Sequence, residues 1–91
     1  MEKEGLLGRV VISKCGRDKG KLFVIVGFAG EDLMLVCDGK LRLVENPKKK
    51  KMKHLRFTDK SLDEIGDNLR SGQKLVNAHV RKAIGGVAQL L

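Results

Sequence analysis

Short apolar segments alternate with glycine-rich or charged turns over the first 58 residues, a pattern typical of a small all-β unit. Residues 22–26 are apolar at every position, which predicts a strand that is covered on both faces. Asp38-Gly39 favours a two-residue hairpin with a type I′ turn. Leu55 and Phe57 alternate with polar neighbours and are expected to face inwards. Five short strands, which favour a small and strongly bent barrel, are predicted at residues 8–13, 22–26, 33–37, 41–44 and 54–58.

The last part of the chain, residues 59–91, changes to helical spacing. Ser61 followed by Glu64 fits a capping box at the start of a first helix, and Gly72 is expected to end that helix. A second apolar stripe follows, and Gly85-Gly86 is expected to end its helix. We therefore divide the chain into a barrel, residues 1–58, and a C-terminal helical extension, residues 59–91. The second stripe, which must cover either the barrel or a partner, consists of Leu75, Val76, Val80, Ala83 and Ile84.

Positive charge is concentrated in one segment. The chain has 19 Lys and Arg against 11 Asp and Glu, a net charge of +8, and residues 48–60 hold seven of these basic residues and one acid. A localised basic block is what polyanion binding requires, since each neutralised phosphate releases condensed counterions. With three Phe and no Trp or Tyr, such a surface would rely on charge and backbone donors rather than on base-stacking platforms.

Candidate catalytic and metal-binding residues are few. Cys15 and Cys37 lack the C-x-x-C spacing of metal sites, so we expect neither a metal nor a cofactor and interpret both as reduced thiols of a cytoplasmic protein. His54 and His79 have no neighbouring nucleophile or carboxylate pair in the sequence, which favours a non-enzymatic role. The longest apolar runs, of five residues each, are too short to span a membrane.

Gly16 and Gly20 frame a basic segment just before the apolar residues 22–26. A nucleotide-binding P-loop is excluded, because the spacing is one residue short and Leu22 stands where the magnesium-binding hydroxyl is required. Two compatible interpretations stay open. The glycines supply positive φ in a tight turn, and the turn also presents its cations to a phosphate backbone. These cations are Lys14, Arg17, Lys19 and Lys21.

Two stretches resemble a known family. Residues 8–26, GRVVISKCGRDKGKLFVIV, resemble the KOW motif of ribosomal proteins and NusG-type transcription factors, whose mark is a Gly-x-Asp-Lys-Gly-Lys loop between two strands. Residues 38–55, DGKLRLVENPKKKKMKHL, resemble bacterial relatives of the large-subunit ribosomal protein family fourteen-e, which place a Pro-Lys-rich segment and Lys-His-Leu after the barrel hairpin. The resemblance covers about residues 5–57 and leaves the helical extension outside it.

The resemblance implies a mostly β fold, an SH3-like barrel of the KOW type, that binds RNA. The expected partner is rRNA of the large ribosomal subunit, and the expected role is that of a ribosome-associated protein in translation. The alternative is a NusG-like protein-interaction module that docks on the transcription machinery. Gly16 and Gly20 correspond to the turn glycines of the motif. The candidate RNA-binding residues are Arg17, Lys19 and Lys21 in the loop and Lys48, Lys49, Lys50, Lys51, Lys53 and His54 in the basic segment, to which the charge pattern adds Lys14 and Arg56.

Overall fold

The computed structural model describes residues 3–91. It is a mostly β structure in which five antiparallel strands precede two α-helices. A short 3₁₀ turn, Lys3–Leu6, leads into the first strand, and another, Met52–His54, joins the last two strands. The strands are β1 (Arg9–Ser13), β2 (Leu22–Phe28), β3 (Leu33–Cys37), β4 (Lys48–Lys51) and β5 (Leu55–Ser61), and the helices are α1 (Asp63–Arg70) and α2 (Asn77–Ala88).

The strands form one sheet in the order β4-β3-β2-β1-β5, so β4 and β5 lie at opposite edges. In a flat sheet these edges would be about 19 Å apart, at about 4.8 Å for each strand spacing. Only Met52–His54 joins them, and the four Cα steps from Lys51 to Leu55 reach at most about 15 Å. The sheet is therefore curled so that its edges approach at this corner. Its hydrogen-bonded ladder ends at β4 and β5, so the sheet is open and the predicted barrel closure is not confirmed.

The predicted strand at residues 41–44 is wrong, and the fourth strand is the lysine run itself. Asp38 explains the difference: its Oδ1 accepts hydrogen bonds from the backbone N–H groups of Lys40, Leu41 and Arg42, each at 2.9 Å. Such side-chain bonds compete with a strand ladder for the same backbone donors. Residues 38–47 consequently form a long loop, the β3–β4 loop, in place of the predicted two-residue hairpin.

Two apolar clusters lie on opposite faces of the sheet. The first core contains Phe23 and Ile25 of β2 together with Leu55, whose burial confirms its predicted inward orientation. The helix-side core contains Val24 of the same strand, and α1 and α2 cover it. The prediction that β2 is covered on both faces is thus confirmed. Of the predicted second stripe, Leu75, Val80, Ala83 and Ile84 pack in the helix-side core, whereas Val76 is 61% exposed. The other buried members are Leu6, Val11, Met34 and Val36 in the first core, and Cys37, Ile65, Leu75, Val80 and Ile84 in the helix-side core.

Three helix boundaries were predicted, and the structure differs from the prediction at two of them. Ser61 lies in β5, where it pairs with Arg9, and α1 begins after Leu62 with no side-chain cap, so the predicted capping box is wrong. Gly72, with a φ of 77°, confirms the predicted end of α1. The second helix continues through Gly85-Gly86 to Ala88. Burial of Val87 beyond these glycines explains the continuation, because burying a valine outweighs their modest helix propensity penalty.

Gly39 allows the β3–β4 loop to pack closely against α2. Its φ is 76°, and a Cβ at this position would overlap the backbone carbonyl oxygen of Asn77. Gly72 has a nearly equal φ of 77° but no atom within 4 Å of such a Cβ. We expect Gly72→Ala to lower the free energy of unfolding by about 1 kcal/mol through backbone strain. Gly39→Ala should lower the free energy of unfolding by about twice as much or more, because the added Cβ also forces α2 to move.

Urea unfolding followed by circular dichroism measures both glycine variants. If both variants lose the same free energy of unfolding, the β3–β4 loop is not closely packed on α2.

Candidate nucleic-acid interface

The glycine loop, residues 14–21, connects β1 to β2 and is closed by its own backbone. The N–H of Gly20 donates to the carbonyl of Ser13 at 2.8 Å, and the N–H of Ser13 donates to the carbonyl of Lys21 at 3.0 Å. Gly16 and Gly20 have φ values of 83° and 86°, so both supply the positive φ predicted for the turn. The loop therefore has a fixed shape that leaves its basic side chains exposed.

Asp18, a buried residue of the glycine loop, attaches the loop to β4. Its carboxylate is buried and accepts hydrogen bonds from the Ser13 hydroxyl at 2.8 Å and from the ammonium groups of Lys48 and Lys50, each at 3.0 Å. Burial alone would raise the pKa of this carboxyl, but the three hydrogen bonds and the charge of Lys50 outweigh it and hold the pKa well below its usual range. Asp18 thus stays ionised and ties the loop to β4.

Lys50 has its ammonium fully occupied by protein groups. Its Nζ donates to the Ser13 hydroxyl at 2.9 Å, to the Cys15 carbonyl at 3.1 Å and to Asp18 at 3.0 Å. An ammonium has three protons to donate, and the side chain is only 7% exposed. The structure therefore takes Lys50 out of the set of candidate RNA contacts and gives it a structural role.

The alternation of β4 separates its four lysines. Lys48 and Lys50 stand opposite Val36 and Met34 of the first core, so they share that inward face. Lys49 and Lys51 point outwards and are exposed. In the following turn Lys53 is exposed and His54 is half-buried. The backbone carbonyl of His54 accepts the N–H of Lys14 at 2.8 Å, which ties the glycine loop to the corner between β4 and β5.

The glycine loop lines several surface hollows, and two of them are each lined by two of its cations. The first, of about 440 Å³, is here named the Arg56 hollow. The second, of about 300 Å³, is named the Arg42 hollow. Neighbouring basic residues of one loop thus serve two separate concave surfaces. The Arg56 hollow is lined by Ile12, Ser13, Lys14, Lys19, Gly20 and Arg56, and the Arg42 hollow by Arg17, Asp18, Lys21, Phe23, Leu41, Arg42 and Lys48.

The structure brings together six of the predicted site cations, which are Lys14, Lys19 and Arg56 in one hollow and Arg17, Lys21 and Lys48 in the other. Lys49, Lys51, Lys53 and His54 line neither hollow. Arg42 is a basic residue of the second hollow that the sequence interpretation missed, because residues 41–44 were predicted to form a strand. The usable signal was Asp38, whose preference for capping nearby N–H groups predicts a loop there.

Cys37 is poorly placed to act as a nucleophile. Both thiols are free, and Cys37 is buried in the helix-side core. Burial raises the pKa of the Cys37 thiol to about 12, with Asp38 and Glu45 contributing in the same direction. Within residues 3–91, no three His, Cys, Asp or Glu side chains gather in a way that could hold a metal ion.

Comparison with known proteins returned no match: neither a protein-family model nor a curated protein sequence aligns with the chain. In the part of the chain that the structure describes, no helix has the length and apolar character needed to cross a membrane.

Proposed function

We propose that this protein is a non-enzymatic RNA-binding module that contacts the rRNA of the large ribosomal subunit. One observation carries the proposal: the glycine loop has a fixed shape and places cationic side chains in hollows on both of its sides. The loop needs no reordering on binding, because the buried contacts of Asp18 already fix it. A preformed cationic surface of this kind avoids much of the entropic cost of association.

Recognition of this type depends on the RNA backbone and on RNA shape. The loop cations Lys14, Arg17, Lys19 and Lys21 are exposed, and Lys and Arg side chains bind phosphate oxygens without reading sequence. Their hollows are separate, so one loop can contact phosphates on two sides. Lys49 and Lys51 are exposed on the outward face of β4 and add positive charge there.

The proposal includes a closed SH3-like barrel of the KOW type, with α1 and α2 as a helical cover. Two observations support it: the edge strands are joined by only three residues, and the helix-side core lies under α1 and α2. A cytoplasmic location follows from ribosome association.

The absence of catalysis in this proposal is supported by how the candidate groups are occupied. The carboxylate of Asp18 is held by Ser13, Lys48 and Lys50, and the raised pKa of Cys37 keeps its thiol protonated. His79 lies 3.7 Å from the Glu64 carboxylate on the helical surface. The Asp18 carboxylate and the Cys37 thiol are thus poorly suited to catalysis.

Fluorescence anisotropy with labelled rRNA from large subunits tests the proposal over a series of salt concentrations. If about five side chains each neutralise one phosphate, the log-log plot of the binding constant against salt should have a slope of about −4. No binding at low salt would overturn the proposal and favour the alternative of a NusG-like module that docks on transcription proteins.

A further inference from the structure

The Arg42 hollow differs from the Arg56 hollow in having two large apolar side chains in its lining. Phe23, which is 2% exposed, belongs to the first core, and Leu41, which is 66% exposed, stands on the facing β3–β4 loop. The space between these elements is about 300 Å³, which is at the small end of ordinary ligand sites.

Leu41 is held in this exposed position by the structure around it. Its N–H is one of the three that Asp38 caps at 2.9 Å. The loop is also attached to α2, because Arg81 donates to the Gly39 carbonyl at 2.9 Å and the Asn77 side-chain oxygen accepts the Val44 N–H at 2.8 Å. The backbone that presents Leu41 to the hollow is therefore fixed before any ligand binds.

The charge around the hollow is strongly positive. Four cationic side chains line it, namely those of Arg17, Lys21, Arg42 and Lys48. The one carboxylate in the lining, that of Asp18, already pairs with Lys48 and Lys50. A ligand that matches this lining combines negative charge with a flat apolar surface, and a nucleotide has both.

We propose that the Arg42 hollow takes one unpaired nucleotide of the bound RNA, with its base against Leu41 and its flanking phosphates on Arg17, Lys21 and Arg42. This inference rests on the proposed RNA-binding function and makes it more specific. The nucleotide must be unpaired, because a base inside a duplex is stacked on both faces and cannot contact a side chain with either of them. Leu41 here takes the place that an aromatic side chain has in many single-strand sites.

The test compares two labelled RNA hairpins by fluorescence anisotropy, one with a single bulged adenosine and one with the bulge deleted. We expect the protein to bind the bulged hairpin about tenfold more tightly, at the low end of the range measured for a base stacked on an aromatic side chain, because leucine offers a smaller contact surface. Leu41→Ala should remove most of this preference and leave the salt dependence unchanged. Arg42→Gln should instead lower the magnitude of the salt slope by about 0.9, the value for one phosphate contact.

Leu43→Ala is the matched control, because Leu43 is a second exposed leucine of the same loop and lines neither hollow. It should keep the preference for the bulged hairpin. Equal binding of both hairpins by the unmodified protein, or an unchanged preference in Leu41→Ala, would overturn the nucleotide site and leave the proposed function intact. Failure to bind either hairpin or large-subunit rRNA at low salt would overturn the proposed function itself.

Discussion

Asp18→Asn is expected to lower the free energy of unfolding by about 3–5 kcal/mol. The reason is Lys50, whose side chain is 7% exposed and whose ammonium would lose its buried counterion. Removing one partner of a buried ion pair leaves an uncompensated charge, which costs more than the pair itself contributes. For a small domain this is a large share of the total stability. Urea unfolding followed by circular dichroism gives the value.

The same substitution should change how stability depends on pH. In the wild type, the folded pKa of Asp18 lies below its unfolded value, which is about 3.9 for a free Asp. Its contribution is therefore fully present above pH 4 and is lost as the pH falls through the folded pKa. Asp18→Asn has no such titration, so the stability difference between the two proteins should shrink as the pH falls below about 4.

Two further variants isolate the ion pair. Asp59→Asn removes an exposed carboxylate from β5 and should change stability by less than about 0.5 kcal/mol. Asp18→Asn combined with Lys50→Met should recover part of the loss, since the unpaired buried ammonium is gone. If Asp18→Asn proves no more destabilising than Asp59→Asn, the buried network does not anchor the glycine loop.

Replacing the three central cations of the glycine loop by glutamine, Arg17→Gln with Lys19→Gln and Lys21→Gln, is expected to lower rRNA affinity by about two to three orders of magnitude. The magnitude of the slope of the log-log salt plot should fall by about 3, because about 0.9 is lost with each phosphate contact. All three side chains are exposed, so folding should be unaffected. Fluorescence anisotropy over a salt series measures both quantities.

The control is a second triple variant with the same change of charge. Lys60→Gln, Lys74→Gln and Lys82→Gln also lower the net charge from +8 to +5, and these residues lie outside the glycine loop and line neither hollow. If both triple variants weaken binding equally, affinity depends on net charge alone and the glycine loop is not the interface.

The parts of the fold that the sequence predicted correctly are those set by local pattern. The all-apolar run of residues 22–26 required cover on both faces, and both cores supply it. Gly16 and Gly20 required positive φ, and the structure has it. In these places the hydrophobic period or the backbone geometry alone decides the outcome.

The sequence prediction failed at the fourth strand, because residues far away in the sequence determine its structure. Nothing in four consecutive lysines indicates a strand, because the burial of Lys50 depends on Asp18, which is 32 residues away in sequence. The error at residues 41–44 has a local cause instead, since Asp38 captures the backbone donors that a ladder would use. Asp38 could have indicated the loop, but not that the loop brings Leu41 and Arg42 to the same hollow as Arg17 and Lys48.

Sedimentation of the tagged native protein through sucrose gradients at low and at high salt is the most direct test of the central claim. We expect the protein to migrate with the large ribosomal subunit at low and moderate salt and to be released at high salt, because the contact is largely electrostatic. A protein that stays at the top of the gradient even at low salt would contradict ribosome association.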